Sequence, residues 1–174
     1  MKYTNNLKKL VSGALMAAIV FVFTIVIKVP VAITNGYINI GDTAVLLCSY
    51  LVGGIYGALA AGIGSALADM SQGYVIYAPA TFIIKFMMVF VANFFCNNVF
   101  KSKKSLSMAI AGIVSEIIMV LGYFIFESIF LGLGITALVG VYGNIIQGII
   151  CFILANVLGK VFVRQIKTQL IEST

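Results

Sequence analysis

The chain has 174 residues, of which 62% are hydrophobic and 9% charged, where an ordinary soluble domain carries roughly 25% charged residues. With a mean hydropathy of +1.15 it cannot clothe a water-exposed surface, which excludes a soluble fold and predicts an integral membrane protein of one compact bundle. The formal net charge of +6 does not indicate nucleic-acid binding, because the basic residues fall in short tethers at 2, 8 and 9, at 101, 103 and 104, and at 160, 164 and 167, the pattern of topology signals that face the cytoplasm.

In chain order, the apolar run 10–27 is too long for the core of a cleavable leader, and no small-residue cleavage site follows it. It predicts a first helix over about 8–28, carrying the small-xxx-small pair Ala14 and Ala18. The next stretch, "KVPVAITNGYINIGD" at 28–42, favours extended structure through Val31, Ile33, Tyr37, Ile38 and Ile40, and Asn35-Gly36 signals a hairpin turn. An extracellular hairpin over the outer mouth of the bundle is expected, with Asn39 and Asp42 at its end as candidate ligand contacts.

Residues 43–70 would make one helix about 42 Å long at ~1.5 Å per residue, or two short helices broken at Gly53-Gly54. Two crossings bring all three basic clusters to one side, as the positive-inside rule requires. The expected architecture is therefore an all-α bundle of six spans, about 8–28, 42–54, 57–70, 78–99, 105–130 and 137–164, with both termini cytoplasmic. The small pairs Gly53/Gly57, Ala58/Gly62 and Ala60/Gly64 are expected to pack inside it.

The fourth span, "APATFIIKFMMVF" at 78–90, holds Lys85. A lysine in hydrocarbon costs at least ~2.5–3.5 kcal/mol and demands a partner, a wet cavity or a function. On the fifth span Glu116, Tyr123 and Glu127 share one stripe, and on the sixth Asn144 and Gln147 share a face. Measured from the outer interface, Lys85, Tyr123, Asn144 and Gln147 fall in one layer about 8–15 Å deep and Glu116 lies near ~18 Å. Two readings stand at this point. Lys85 clamps to Glu116 or Glu127 while the amides glue helices together, or these groups converge on a ligand. Tyr74, Tyr77 and Tyr123 are placed either to stack on a ring or to anchor helix ends at the interface. The candidate binding set is Lys85, Asn144, Gln147, Tyr123, Glu116, Tyr77, Asn39 and Asp42. On that reading, Lys85→Ala or Asn144→Ala weakens binding while the chain still inserts and folds. Cys48, Cys96 and Cys151 lie in apolar runs and histidine is absent, so neither a metal site, nor a disulfide framework, nor a cofactor is expected.

The stretches "GYINIGDTAVLL", "GGIYGALAAGIGSALADM" and "GYVIYAPATFIIK" resemble the substrate-binding S components of energy-coupling factor (ECF) vitamin transporters. They resemble in particular the riboflavin-transporter-like branch that includes carriers of pyridoxine-like and hydroxymethylpyrimidine-like compounds. The resemblance covers most of 8–165. It implies a six-helix bundle with a pocket near the outer face capped by the first loop. It also implies that a surface of the Ala14/Ala18 type docks on a membrane coupling subunit driven by two ATPases. No GxxxxGK[ST] motif occurs in this chain, so ATP hydrolysis is expected of the partners. The function expected is capture of a small water-soluble vitamin or precursor, pyridoxine- or hydroxymethylpyrimidine-like before riboflavin, pantothenate or a queuosine precursor. A stand-alone secondary carrier or channel would call for inverted repeats with matching broken helices. A membrane enzyme would call for an acid–base constellation beyond a Lys85–Glu116 pair.

Overall fold

A computed structural model of the chain describes residues 2–96 and 104–172. Lys101, Lys103 and the 97–99 end expected of the fourth span lie outside the described residues. Helix α1 spans Lys2–Val26, and a hairpin of β1 (Lys28–Val31) and β2 (Gly36–Asn39) follows it. Helix α2 covers Gly41–Leu47 and runs on as a π-helical turn, Cys48–Val52. Helices α3 (Gly54–Ser71) and α4 (Ala78–Phe94) come next. Helix α5 (Lys104–Ile125) ends in a second π-helical turn, Phe126–Phe130, and a 3₁₀ turn at Gly134–Ala137 leads into α6, Leu138–Glu172.

The helices run alternately up and down. The hairpin follows the end of α1 and reaches the starts of α2, α4 and α6 and the ends of α3 and α5, through side chains described below. Around the bundle α1 packs on α3, α3 on α4, α4 on α5 and α5 on α6, while α2 fills the gap between α6 and α1. Every residue from Gly41 to Ser49 is buried. That is why the α2 sequence shows no one-sided pattern: a helix surrounded by protein is apolar all round. Its twelve residues rise only ~18 Å, short of the ~30 Å hydrocarbon thickness. Three helical stretches are long and apolar enough to cross a membrane unaided, Asn6–Val26, Ser105–Phe130 and Gly134–Phe162, while Gly41–Val52 and Ala78–Phe94 are shorter apolar helices. The core centres on Met16, Val20, Val45, Leu47, Met88, Val89 and Met119.

Several boundaries differ from those expected. The first helix stops before Lys28, because that residue already pairs with Asn39 in the hairpin. No linker separates α2 from α3: the chain turns at Gly53 (φ 65°, ψ −177°) and Gly54 (φ 55°), and the third helix starts at 54 rather than 57. Helix α6 continues to 172 rather than 164. In the hairpin, Val31 pairs with Gly36, so the loop is residues 32–35. Asn35, at φ 54°, closes the turn and Gly36 already belongs to β2.

The small residues of 53–64 pack internally. A Cβ on Gly64 would lie 2.4 Å from the Ala17 carbonyl, which brings α1 and α3 into close contact. On α1, Gly13, Met16 and Val20 turn inward, while Ala14 and Ala18 are exposed on the outer face.

Candidate functional site

A cavity lies where the hairpin roofs the bundle. The space in it that a water-sized sphere can occupy is about 30 Å³, and all the space between its walls, open solvent at the mouth included, is about 500 Å³. The first figure is room for a water molecule or two. The hairpin supplies Val31, Thr34, Gly36, Tyr37 and Asn39. Helix α1 gives Thr24, α3 gives Ser65 and Asp69, and Thr81 and Lys85 come from α4 with Tyr77 at its cap. Tyr123 and Glu127 come from the end of α5, and Gly140, Asn144 and Gln147 from α6.

Lys85 is buried at 3% exposure and donates from Nζ to Asp42 Oδ1 at 2.5 Å. Its Nζ also lies 5.1 Å from the Tyr123 ring centroid, in cation–π range. Gln147 Nε2 donates to Asp42 Oδ2 at 2.6 Å, and Gln147 Oε1 accepts the Asn39 backbone N–H at 2.7 Å. Both Asp42 oxygens are thereby served, one by a charge and one by an amide, and a continuous chain of bonds joins α4, α2, α6 and β2. The partner expected for Lys85 was Glu116 or Glu127; it is Asp42. The reason is the shortness of α2: its first turn sits inside the protein beneath the hairpin, not at an interface.

Two further bonds fasten the hairpin. Tyr37 Oη donates to Asp69 Oδ1 at 2.6 Å and accepts from Gln72 Nε2 at 3.3 Å. Burial first, and the Asp69 carboxylate next, push the Tyr37 phenol above its ordinary range, so it remains a protonated donor. Tyr77 Oη donates to the Thr34 carbonyl at 2.5 Å, with Glu127 Oε1 at 3.2 Å from the same hydroxyl. Thr81 Oγ1 and Tyr123 Oη lie 3.0 Å apart. The Tyr77 ring sits 6.5 Å from Tyr123 and 5.3 Å from Phe126, giving the cavity an aromatic wall.

Of the sequence candidates, Lys85, Asn144, Gln147, Tyr123, Tyr77 and Asn39 line this one cavity. Asp42 stands behind the wall and acts on it through Lys85 and Gln147. Glu116 does not join them. It is buried between α5 and α6 beside Gly148, borders an apolar groove, and neither of its oxygens has a hydrogen-bond partner. Sharing a helical stripe with Tyr123 over two turns placed both on α5's inner side, but at Glu116's level the neighbour is α6 itself. Tyr74 lies against Tyr37 at 4.5 Å with Lys28 over its ring, outside the cavity lining.

Sequence reasoning passed over Tyr37, Thr34, Asp69, Ser65 and Thr24 as site residues. Asp69 is the lone acid of an apolar helix, a signal that could have been used. Thr24 and Ser65 carried none, since a hydroxyl in a helix usually bonds its own backbone, as Thr24 does to Val20. Among the described residues no group of three His, Cys, Asp or Glu is placed to hold a metal ion.

A family model described as the S component of the ECF-type riboflavin transporter matches residues 4–164. A Pyrococcus woesei protein described as an uncharacterized protein in the gap 3′ region is 31% identical over 147 residues, covering 84% of this chain and 96% of its own. The thiamine precursor transporter HmpT of Lactococcus lactis subsp. cremoris is 29% identical over 161 residues, covering 92% and 90%. A solved S component of a bacterial ECF transporter superposes with a TM-score of 0.67 at 21% identity, over 95% of this chain and 98% of that one; at that identity the likeness speaks to the fold.

Proposed function

The chain belongs to the family of ECF-type riboflavin transporter S components, membrane transport subunits rather than enzymes, and on that premise we propose that it captures a small water-soluble vitamin or vitamin precursor for an ATP-driven importer. The observation that carries this reading is the roofed cavity, where six of the polar and aromatic candidates from β2, α4, α5 and α6 converge. An aromatic wall with a few polar groups is how a ring-shaped ligand is gripped. Tyr77 and Tyr123 would flank the ring. Asn144, which makes no hydrogen bond within the protein among the described residues, would read its polar edge.

The likeness to a thiamine precursor transporter favours a one-ring compound of the pyridoxine or hydroxymethylpyrimidine kind over the three-ring riboflavin. In this reading the six helices cross the membrane six times. The hairpin end faces outward, the Lys8, Lys9 and Lys160 end faces the cytoplasm, and Ala14 and Ala18 meet a membrane coupling subunit served by two ATPases.

The test is equilibrium binding by the purified full chain in detergent, against pyridoxine, hydroxymethylpyrimidine, riboflavin, pantothenate and a queuosine precursor. Saturable binding of one of them is expected. Asn144→Ala should then lose about tenfold in affinity, the worth of one buried hydrogen bond, with an unchanged melting temperature. A chain that binds none of the five refutes the proposal.

A further inference from the structure

Among the described residues, Glu116 is the buried acid that takes no part in the roofed cavity. It is 7% exposed, and neither of its carboxyl oxygens has a hydrogen-bond partner. Its methylenes belong to the floor of a second groove, on the outside of the bundle between α5 and α6. Ile113, Ile117 and Leu121 form one wall of it at i, i+4, i+8 spacing on α5. Ile145, Ile149 and Ile153 form the other on α6, and all six are about half exposed. Gly148 keeps the floor low. A Cβ there would lie 3.2 Å from Glu116 Oε2, so the missing side chain makes room for the carboxyl group. A water-sized sphere finds about 520 Å³ in this groove, and every residue lining it belongs to α5 or α6.

Acyl chains suit the walls but not the floor, where a carboxyl group without a partner is penalised by hydrocarbon. Glu116 lies 12 residues beyond the start of α5 and 14 before the end of its π-helical turn, about 18 Å and 21 Å along the helix at ~1.5 Å per residue. Donors on lipid headgroups are therefore too far away, and a partner for the carboxyl must come from protein at mid-membrane depth. A second copy of this chain supplies one by symmetry. Two copies inserted the same way are related by a two-fold axis along the membrane normal, and an isologous contact sets a residue on that axis against itself. A carboxyl group in its acid form both donates and accepts, so it is its own complement. Gly148 allows the close approach that helix packing in lipid requires, and the i, i+4, i+8 ridges of one copy fit between those of the other. We infer that the α5–α6 groove is a self-association surface, where two copies mesh their isoleucine ridges and each Glu116 turns to the axis to pair with the other. Helix α1 does not line the groove and stays free for other contacts.

The test uses the full chain, labelled at its N-terminus with donor or acceptor dye and reconstituted in phosphatidylcholine vesicles. Energy transfer between copies is expected, falling reversibly as the vesicles are diluted with further lipid. Glu116→Leu, which keeps the groove apolar and removes the pairing group, should weaken association by about tenfold. Glu116→Gln should stay within about threefold of the parent, because an amide also both donates and accepts. Under copper-phenanthroline oxidation Ile117→Cys or Ile149→Cys should give covalent dimers beyond the level set by the native cysteines of the parent, and Ile63→Cys on α3 should not. No transfer at any dilution overturns the inference and leaves the groove to acyl chains. Dimers that cross-link only through Ile63→Cys overturn it as well. So does a Glu116→Leu chain that associates as tightly as the parent, or a Glu116→Gln chain that falls as far as the leucine variant. Cross-linking of Ile117→Cys to a subunit of a coupling module in place of its own copy, when the two are reconstituted together, assigns the groove to that partner and overturns self-association. None of these outcomes bears on vitamin capture, which is read separately by equilibrium binding.

Discussion

Lys85 is the side chain on which the hairpin end of the molecule is organised. An ammonium at 3% exposure is tolerable only because Asp42 and the Tyr123 ring compensate it, and removing one member of a buried pair costs about 3–5 kcal/mol while removing both charges together is often nearly neutral. Lys85→Ala is therefore a poor probe of binding, contrary to the expectation from sequence, because it leaves the Asp42 carboxylate buried with Gln147 as its remaining donor. The double change Lys85→Met with Asp42→Asn should melt several degrees above Lys85→Met alone in detergent. A single variant as stable as the double would mean that the pair does not hold the bundle. The oddity of Lys85 was legible, since nothing else in an apolar run demands explanation so strongly. Its partner was not. Asp42 precedes Lys85 by 43 residues, and ranking acids by depth assumed that every helix starts at an interface, which α2 does not.

At the scale of elements, Gly53 and Gly54 allow α2 and α3 to be two helices with no loop between them. Gly53 combines φ 65° with ψ −177°, a region essentially reserved for glycine, where another residue costs about 1–3 kcal/mol. A Cβ there would also press on the Asn93 amide at 2.5 Å, whereas one on Gly54 meets only open space. Gly53→Ala should accordingly lower the melting temperature more than Gly54→Ala, and the reverse order in a thermal unfolding series would count against this account of the turn. The break itself was readable from the glycine pair and from the charge placement. The hairpin was readable from Asn35-Gly36 and its β-favouring neighbours, because turn chemistry is local. What could not be read was how the hairpin is fastened. Tyr37 reaches Asp69 across 32 residues and Tyr77 reaches Thr34 across 43, and no local pattern encodes contacts between elements so far apart in the chain.

The whole molecule is polarised between its two ends and between its inside and one outer face. Asp42, Asp69 and Glu127 gather with Tyr37, Tyr74, Tyr77 and Tyr123 at the hairpin end, while Lys8, Lys9 and Lys160 mark the other. Under the proposed function the chain must also connect to the machine that supplies energy, and do so without disturbing the cavity. Helix α1 is proposed to meet both requirements. Its Gly13, Met16, Val20 and Thr24 serve the interior, Thr24 as part of the cavity wall. Ala14 and Ala18 lie on the opposite face among Leu7, Leu10, Val11 and Leu15, all exposed. Small residues one turn apart let a second helix approach closely, and in lipid such shape-dependent packing replaces the hydrophobic drive. Replacing both by leucine adds bulk on a face that is exposed. The variant should therefore fold and bind its vitamin with unchanged affinity, yet lose co-purification with the coupling module and reduce uptake into cells by about tenfold or more. If binding by the isolated chain falls with uptake, the alanine pair serves the bundle itself. If uptake is untouched, the coupling surface lies on another helix.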